Sequence, residues 1–98
     1  MDMNQAEKVK KLREYCTENA PETLFADGFD DAIIGLANVF NNYIVVYDRA
    51  KCIEIIVERD GLTFEEAEEF FSYNVTGAYV GDFTPAFFEP IDRIIELI

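Results

Sequence analysis

The chain has 98 residues, half of them apolar and 14% aromatic, with 20 Asp and Glu against 8 Lys and Arg and no histidine. That length allows one domain, and the aromatic content excludes an acidic disordered tail. A net charge of −12 repels nucleic acid and anionic membranes and favours basic partners, while the missing histidine removes the commonest acid–base side chain.

Asn4 followed by Glu7 marks a helix start, and Val9, Leu12 and Cys16 continue it at helical spacing until Pro21 ends it near Ala20. Lys8, Lys10, Lys11 and Arg13 hold half of the positive charge on this one helix and read as a solvated face. The opening residues have no apolar core of the signal-peptide kind, and no apolar run approaches the ~20 residues that span a bilayer. A cytoplasmic protein without membrane contact is therefore the expectation.

Asp27-Gly28 is a turn signal, and the apolar run 32–40 that follows reads as a strand, with a helix over 30–40 as its competitor. The Asn41-Asn42 pair reads as a turn and leads into Tyr43–Tyr47, which is β-branched and aromatic. The two runs predict an antiparallel hairpin. Asp48 is placed to cap a helix whose apolar face is Ala50, Ile53, Ile56 and Val57, and Asp60-Gly61 closes it. Thr63 with Glu66 forms a capping box for the next helix, on which Ala67, Phe70, Phe71 and Asn74 share a face. Glu65, Glu66, Glu68 and Glu69 crowd its first turns, where the helix dipole favours negative charge.

Residues 77–85 are glycine-punctuated and read as a third short strand or an ordered loop. Glu89-Pro90 opens a last helix on which Ile91, Ile94, Ile95 and Ile98 repeat at i, i+3, i+4 and i+7. So short a helix is unstable alone in water, so its isoleucines must dock on the chain's own core or on a neighbour. The whole reads as an α+β fold: a short antiparallel hairpin or sheet covered by three to four helices. A first helix occupies 1–20, the core 27–88 and an amphipathic tail helix 89–98.

Gly28-Phe29-Asp30-Asp31-Ala32-Ile33-Ile34-Gly35, Val46-Tyr47-Asp48, Glu65-Glu66-Ala67, Asn74, Gly77-Ala78-Tyr79-Val80-Gly81 and Thr84-Pro85 together resemble a group of small acidic proteins of unassigned function from tailed bacteriophages and related environmental sequences. The resemblance covers about residues 27 to 88. It implies a phage origin and expression inside a bacterial host, and it carries no catalytic residues over. The isoleucine-rich tail lies outside it.

Candidate sites are few. Asp27, Asp30 and Asp31 gather carboxylates of the kind a hard cation needs, yet their spacing departs from the calcium-loop pattern, and turn, cap and solvent roles account for them; no metal is expected. Cys16 and Cys52 lack C-x-x-C spacing and read as reduced, buried, small hydrophobes. No phosphate loop, nucleophile elbow or zinc spacing is present, so no catalytic residue and no cofactor is assigned. Asn74 is expected to be buried and bonded to backbone in 77–81, or else to orient a ligand; Tyr79 and Phe83 are expected in the core. The expected partner is a protein, either a host factor met through Glu65, Glu66, Glu68 and Glu69 or a second copy met through Ile91, Ile94, Ile95 and Ile98 together with the segment 77–88; a small metal-binding or enzymatic domain is the remaining alternative. Asp48, Thr63 and Asn74 are assigned structural polar roles.

Overall fold

The computed structural model describes residues 2–98. Helix α1 spans Gln5–Asn19, strand β1 Ile33–Val39, β2 Asn42–Asp48, helix α2 Arg49–Asp60, α3 Phe64–Asn74, β3 Ala86–Phe88 and α4 Ile91–Leu97; a 3-10 turn over Asp30–Ala32 leads into β1. The fold is α+β, as the residue patterns predict.

Local chemistry sets the helix ends. The Asn4 side chain accepts from the Glu7 amide, and Thr63 and Glu66 exchange both bonds of a capping box. Gly61 closes α2 with φ 66°, a left-handed angle that favours glycine.

The sheet order is β1-β2-β3. β1 and β2 pair antiparallel, with Leu36 opposite Val45 and a bulge between Ile33 and Gly35. The strand reading of 32–40 therefore holds and the helical competitor is excluded. The hairpin turn falls one residue earlier than the Asn41-Asn42 pair implies. Phe40 and Asn41 form it, with φ of 49° and 68°, the positive pair that defines a type I′ turn, whose twist matches that of its strands. Asn42 is already in β2. Phe40 is bulky at such an angle and 94% exposed.

The third strand, β3, does not lie within the 77–85 stretch that the sequence pattern offers for it. It begins after the glycine-punctuated stretch, and it pairs parallel to β2, Val46 opposite Ala86 and Asp48 opposite Phe88, which makes the sheet mixed. The helices α2 and α3 supply the crossover that parallel neighbours require.

Pairing register separates the two faces. The inner face carries Ile33, Val45, Tyr47 and Phe87 and packs with Cys52, Ile53 and Ile56 of α2 and Ala67 and Phe71 of α3. Rings run through this core in sequence: Tyr47 to Phe87 at 5.5 Å, Phe87 to Phe71 at 5.0 Å, Phe71 to Phe29 at 6.4 Å. The last two are edge-on, the arrangement favoured by the ring quadrupole. The Tyr47 hydroxyl accepts from the Ala26 amide at 2.6 Å, which ties the loop before β1 to the sheet. Burial pushes its phenol up to about 12. The outer face carries Gly35, Ala37, Val39, Ile44, Val46, Ala86 and Phe88; none joins the buried cluster or packs against it.

Three expectations fail here. Phe71 is fully buried while Phe70 is partly exposed, because α3 turns a narrow Ala67–Phe71 stripe inward. Asn74 is exposed, and its amide donates to the Phe70 carbonyl within its own helix, so it makes no bond to the 77–81 backbone. Tyr79 is exposed, whereas Phe83 is half-buried.

Candidate functional site

Asp48 is the most connected side chain of the molecule. As the last residue of β2 it precedes α2, and one carboxylate oxygen accepts from the Ala50 and Lys51 amides. Arg93 of α4 donates to both oxygens, at 2.9 and 3.1 Å. This two-pronged charge-assisted contact, with the two amides, holds the Asp48 carboxyl below its ordinary 3.8 despite partial burial. Arg93 is thereby the hinge pin of α4, joining a helix from the end of the chain to the strand–helix junction at its centre.

A second ion pair joins Arg49 of α2 to Glu89 at 3.9 Å, and the Arg49 guanidinium also lies 5.5 Å from the Phe71 ring. So α4 is held by charge at its first turn. Its apolar residues are not buried: Ile91, Ile94, Ile95 and Ile98 are between 42% and 98% exposed. Of the two docking surfaces expected for them, the chain's own core is not the one used. The helix has too few turns to bury a stripe once Arg93 is turned toward Asp48.

Glu65, Glu66, Glu68 and Glu69 are all exposed on α3. Glu66 is occupied by the capping box, whose Thr63 partner holds its carboxyl below the ordinary value. The other three have no ion-pair partner among the described residues. Glu68 does not stand alone: it lines a groove of about 230 Å³ with Ala50 and Ile53 of α2, Phe64 of α3 and Glu96 and Leu97 of α4. The acidic helix and the tail helix, read as separate features in the sequence, thus share one groove.

A larger cleft of about 410 Å³ lies between residues 24–29, the end of α3 and residues 78–87. Its walls are mainly apolar, with Asn74, Asp27 and Thr84 as polar edges. Thr84 is engaged locally, donating to the Gly81 carbonyl and accepting from the Val80 amide.

The remaining sequence candidates separate. Asp30 pairs with Arg13 at 2.8 Å, Asp27 and Asp31 are exposed, and no cluster of three metal-ligating side chains occurs among the described residues. Cys16 and Cys52 are free and buried. Burial raises both thiols, Cys52 to about 12, so neither carries the thiolate character of a nucleophile.

Sequence reasoning missed Arg49, Phe64, Arg93, Glu96 and Leu97. One signal was available: Arg93 is the only base after Arg59. No family model, no curated protein and no solved structure matches this chain. Among the described residues no helix is long and apolar enough to cross a membrane.

Proposed function

We propose that the chain is a non-enzymatic protein-interaction module, phage-encoded and acting in the host cytoplasm, whose contact surface is the outward side of α4 with the neighbouring carboxylates of α3. The observation that carries this reading is the polarity of α4. The helix is anchored through Arg93 and its neighbour Glu89, while its four isoleucines face outward. Seven residues have no helical stability of their own, so the ion pairs preserve an apolar stripe that solvent alone would not favour. An exposed apolar stripe on a strongly charged monomer is a contact surface. The surrounding carboxylates steer a basic partner toward it, and salt weakens that steering.

The outer face of the sheet, partly exposed and outside the buried cluster, supports a second reading, self-assembly into a homo-oligomer. Apart from Asp48 at its end, that face is uncharged, so two copies of a −12 chain would meet there with the least repulsion.

Site-specific photocrosslinking in a bacterial host separates the two. A photoreactive phenylalanine analogue replaces Ile95 in one variant and Val46 in another, with Glu14 on the far helix α1 as the control position. The interaction reading expects a foreign-protein adduct from position 95 and none from position 14. An adduct at twice the 11.2 kDa chain mass from position 46 favours self-assembly. Absence of any adduct from either test position refutes contact function altogether.

A further inference from the structure

We propose that the groove between α3 and α4 receives an arginine side chain of the partner protein. The inference rests on the interaction reading above and assigns its recognition chemistry.

The groove encloses about 230 Å³, less than the ~300 Å³ at which small-molecule pockets begin, and suited to one long side chain. Its floor is Ala50 and Ile53; Phe64 and Leu97 stand beside them, with Glu68 from α3 and Glu96 from α4. Two arginines and Glu89 also border it, each arginine beside a carboxylate of its own. Arg93 is held by Asp48, and Arg49 by Glu89 and the Phe71 ring. Among the described residues Glu68 and Glu96 have no ion-pair partner, so the groove retains uncompensated negative charge over an apolar lining.

That combination selects its occupant. An anion is repelled, and a neutral apolar side chain would strip water from two carboxylates and return no hydrogen bonds. A side chain with an apolar stem and a cationic head satisfies both the floor and the rim. Arginine fits better than lysine, because its planar fork can serve carboxylates on two helices at once and its face stacks on an aromatic ring such as Phe64.

A foreign chain supplies this arginine more readily than a second copy does. Its four arginines, Arg13, Arg49, Arg59 and Arg93, are each already paired, with Asp30, Glu89, Asp60 and Asp48. The arginine comes from a different, basic protein.

The probe is the capped tripeptide Gly-Arg-Gly, titrated into the full ¹⁵N-labelled chain and followed by amide NMR shifts. Capped Gly-Lys-Gly and the neutral isostere Gly-citrulline-Gly are the comparison arms. The arginine peptide is expected to move Ala50, Phe64, Glu68, Glu96 and Leu97 saturably, the lysine peptide more weakly, and the citrulline peptide not at all. The Glu68→Gln/Glu96→Gln pair changes two exposed, isosteric side chains and should weaken binding about tenfold or more. Shifts spread evenly over every acidic helix, equal response to arginine and lysine, or unchanged binding by the double variant would each overturn the assignment. Were the full chain to sediment as a dimer dissociated by the double variant, the occupant would be a second copy and the foreign-partner assignment would fall. A foreign adduct that persists at position 95 while the peptide fails refutes only the groove; specific peptide binding with no such adduct refutes the wider interaction reading instead.

Discussion

On the inner face of the sheet, Val45 and Tyr47 are fully buried in a core shared with α2 and α3, and Phe87 packs partly buried against it; on the outer face, Ile44 and Val46 are partly buried and Phe88 is exposed, and none of the three joins that core. The two sets are chemically alike and alternate along the same strands. What differs is the supply of cover. Val9 of α1 with Cys52, Ile53, Ile56, Ala67 and Phe71 closes one side, whereas α4 is pinned through Arg93 with its isoleucines exposed. Apolar content in a strand therefore shows only that it can be buried. Burial itself is decided by where the helices dock, and here the surplus is left for contact.

Mutations can break or sharpen this contrast. The largest effect is expected for Phe71→Ala, which removes the ring at the centre of the aromatic row; a loss of about 3–5 kcal/mol should appear in urea unfolding. Tyr47→Phe keeps the ring and deletes the acceptor for the Ala26 amide, and a cost of about 1–3 kcal/mol follows from the stranded donor. If it were neutral, the loop over residues 24–29 would not be tied down by that bond.

Asp48→Ala removes a helix cap and the partner of Arg93 together. A loss of about 1–2 kcal/mol is expected, with faster amide exchange in α4 than in α2. The same site predicts a pH response. The folded-state value of Asp48 is depressed, so its stabilisation is full above about pH 5 and is lost as the pH falls below about 4. Wild type and Asp48→Ala should therefore converge in stability through that acid range; a constant gap would remove the ionic account of α4 docking.

Ile44→Thr lies on the outer face, where Ile44 is only partly buried, and should cost about 1 kcal/mol or less in a monomer. A cost approaching that of Phe71→Ala would mean that the outer face is covered after all. The smallest effect is a gain: Phe40→Asn places a residue tolerant of positive φ in the hairpin turn, and about 0.5–1 kcal/mol of added stability is expected, read as a rise in Tm.

These contrasts mark what could be read in advance. The hairpin, the Asp48 cap, the Thr63 capping box and the Gly61 stop are local events, set by neighbouring residues, and each was legible. The parallel pairing of β3, the outward turn of α4 and the groove shared by Glu68 and Glu96 depend on residues dozens of positions apart. The bond from Arg93 to Asp48 spans 45 positions, and no periodicity encodes it. Asn74 differs for a related reason: helical spacing puts it in line with Phe70 and Phe71, but only Ala67 and Phe71 of α3 are buried, so the packed stripe is one residue wide at that end of the helix.

One contact of α1 bears on a different kind of failure. The Gln5 side-chain amide donates to the Asp30 and Ile33 carbonyls, at 3.1 and 3.0 Å, beside the bulge that opens β1. The Gln5 side chain thus blocks one of the two edge strands, β1, at the place where another chain's backbone could otherwise extend the ladder. Removing α1 would uncover that edge next to the exposed Ile34 and turn a blunt margin into a template for fibril growth, visible as thioflavin fluorescence in the truncated chain and not in the full-length one.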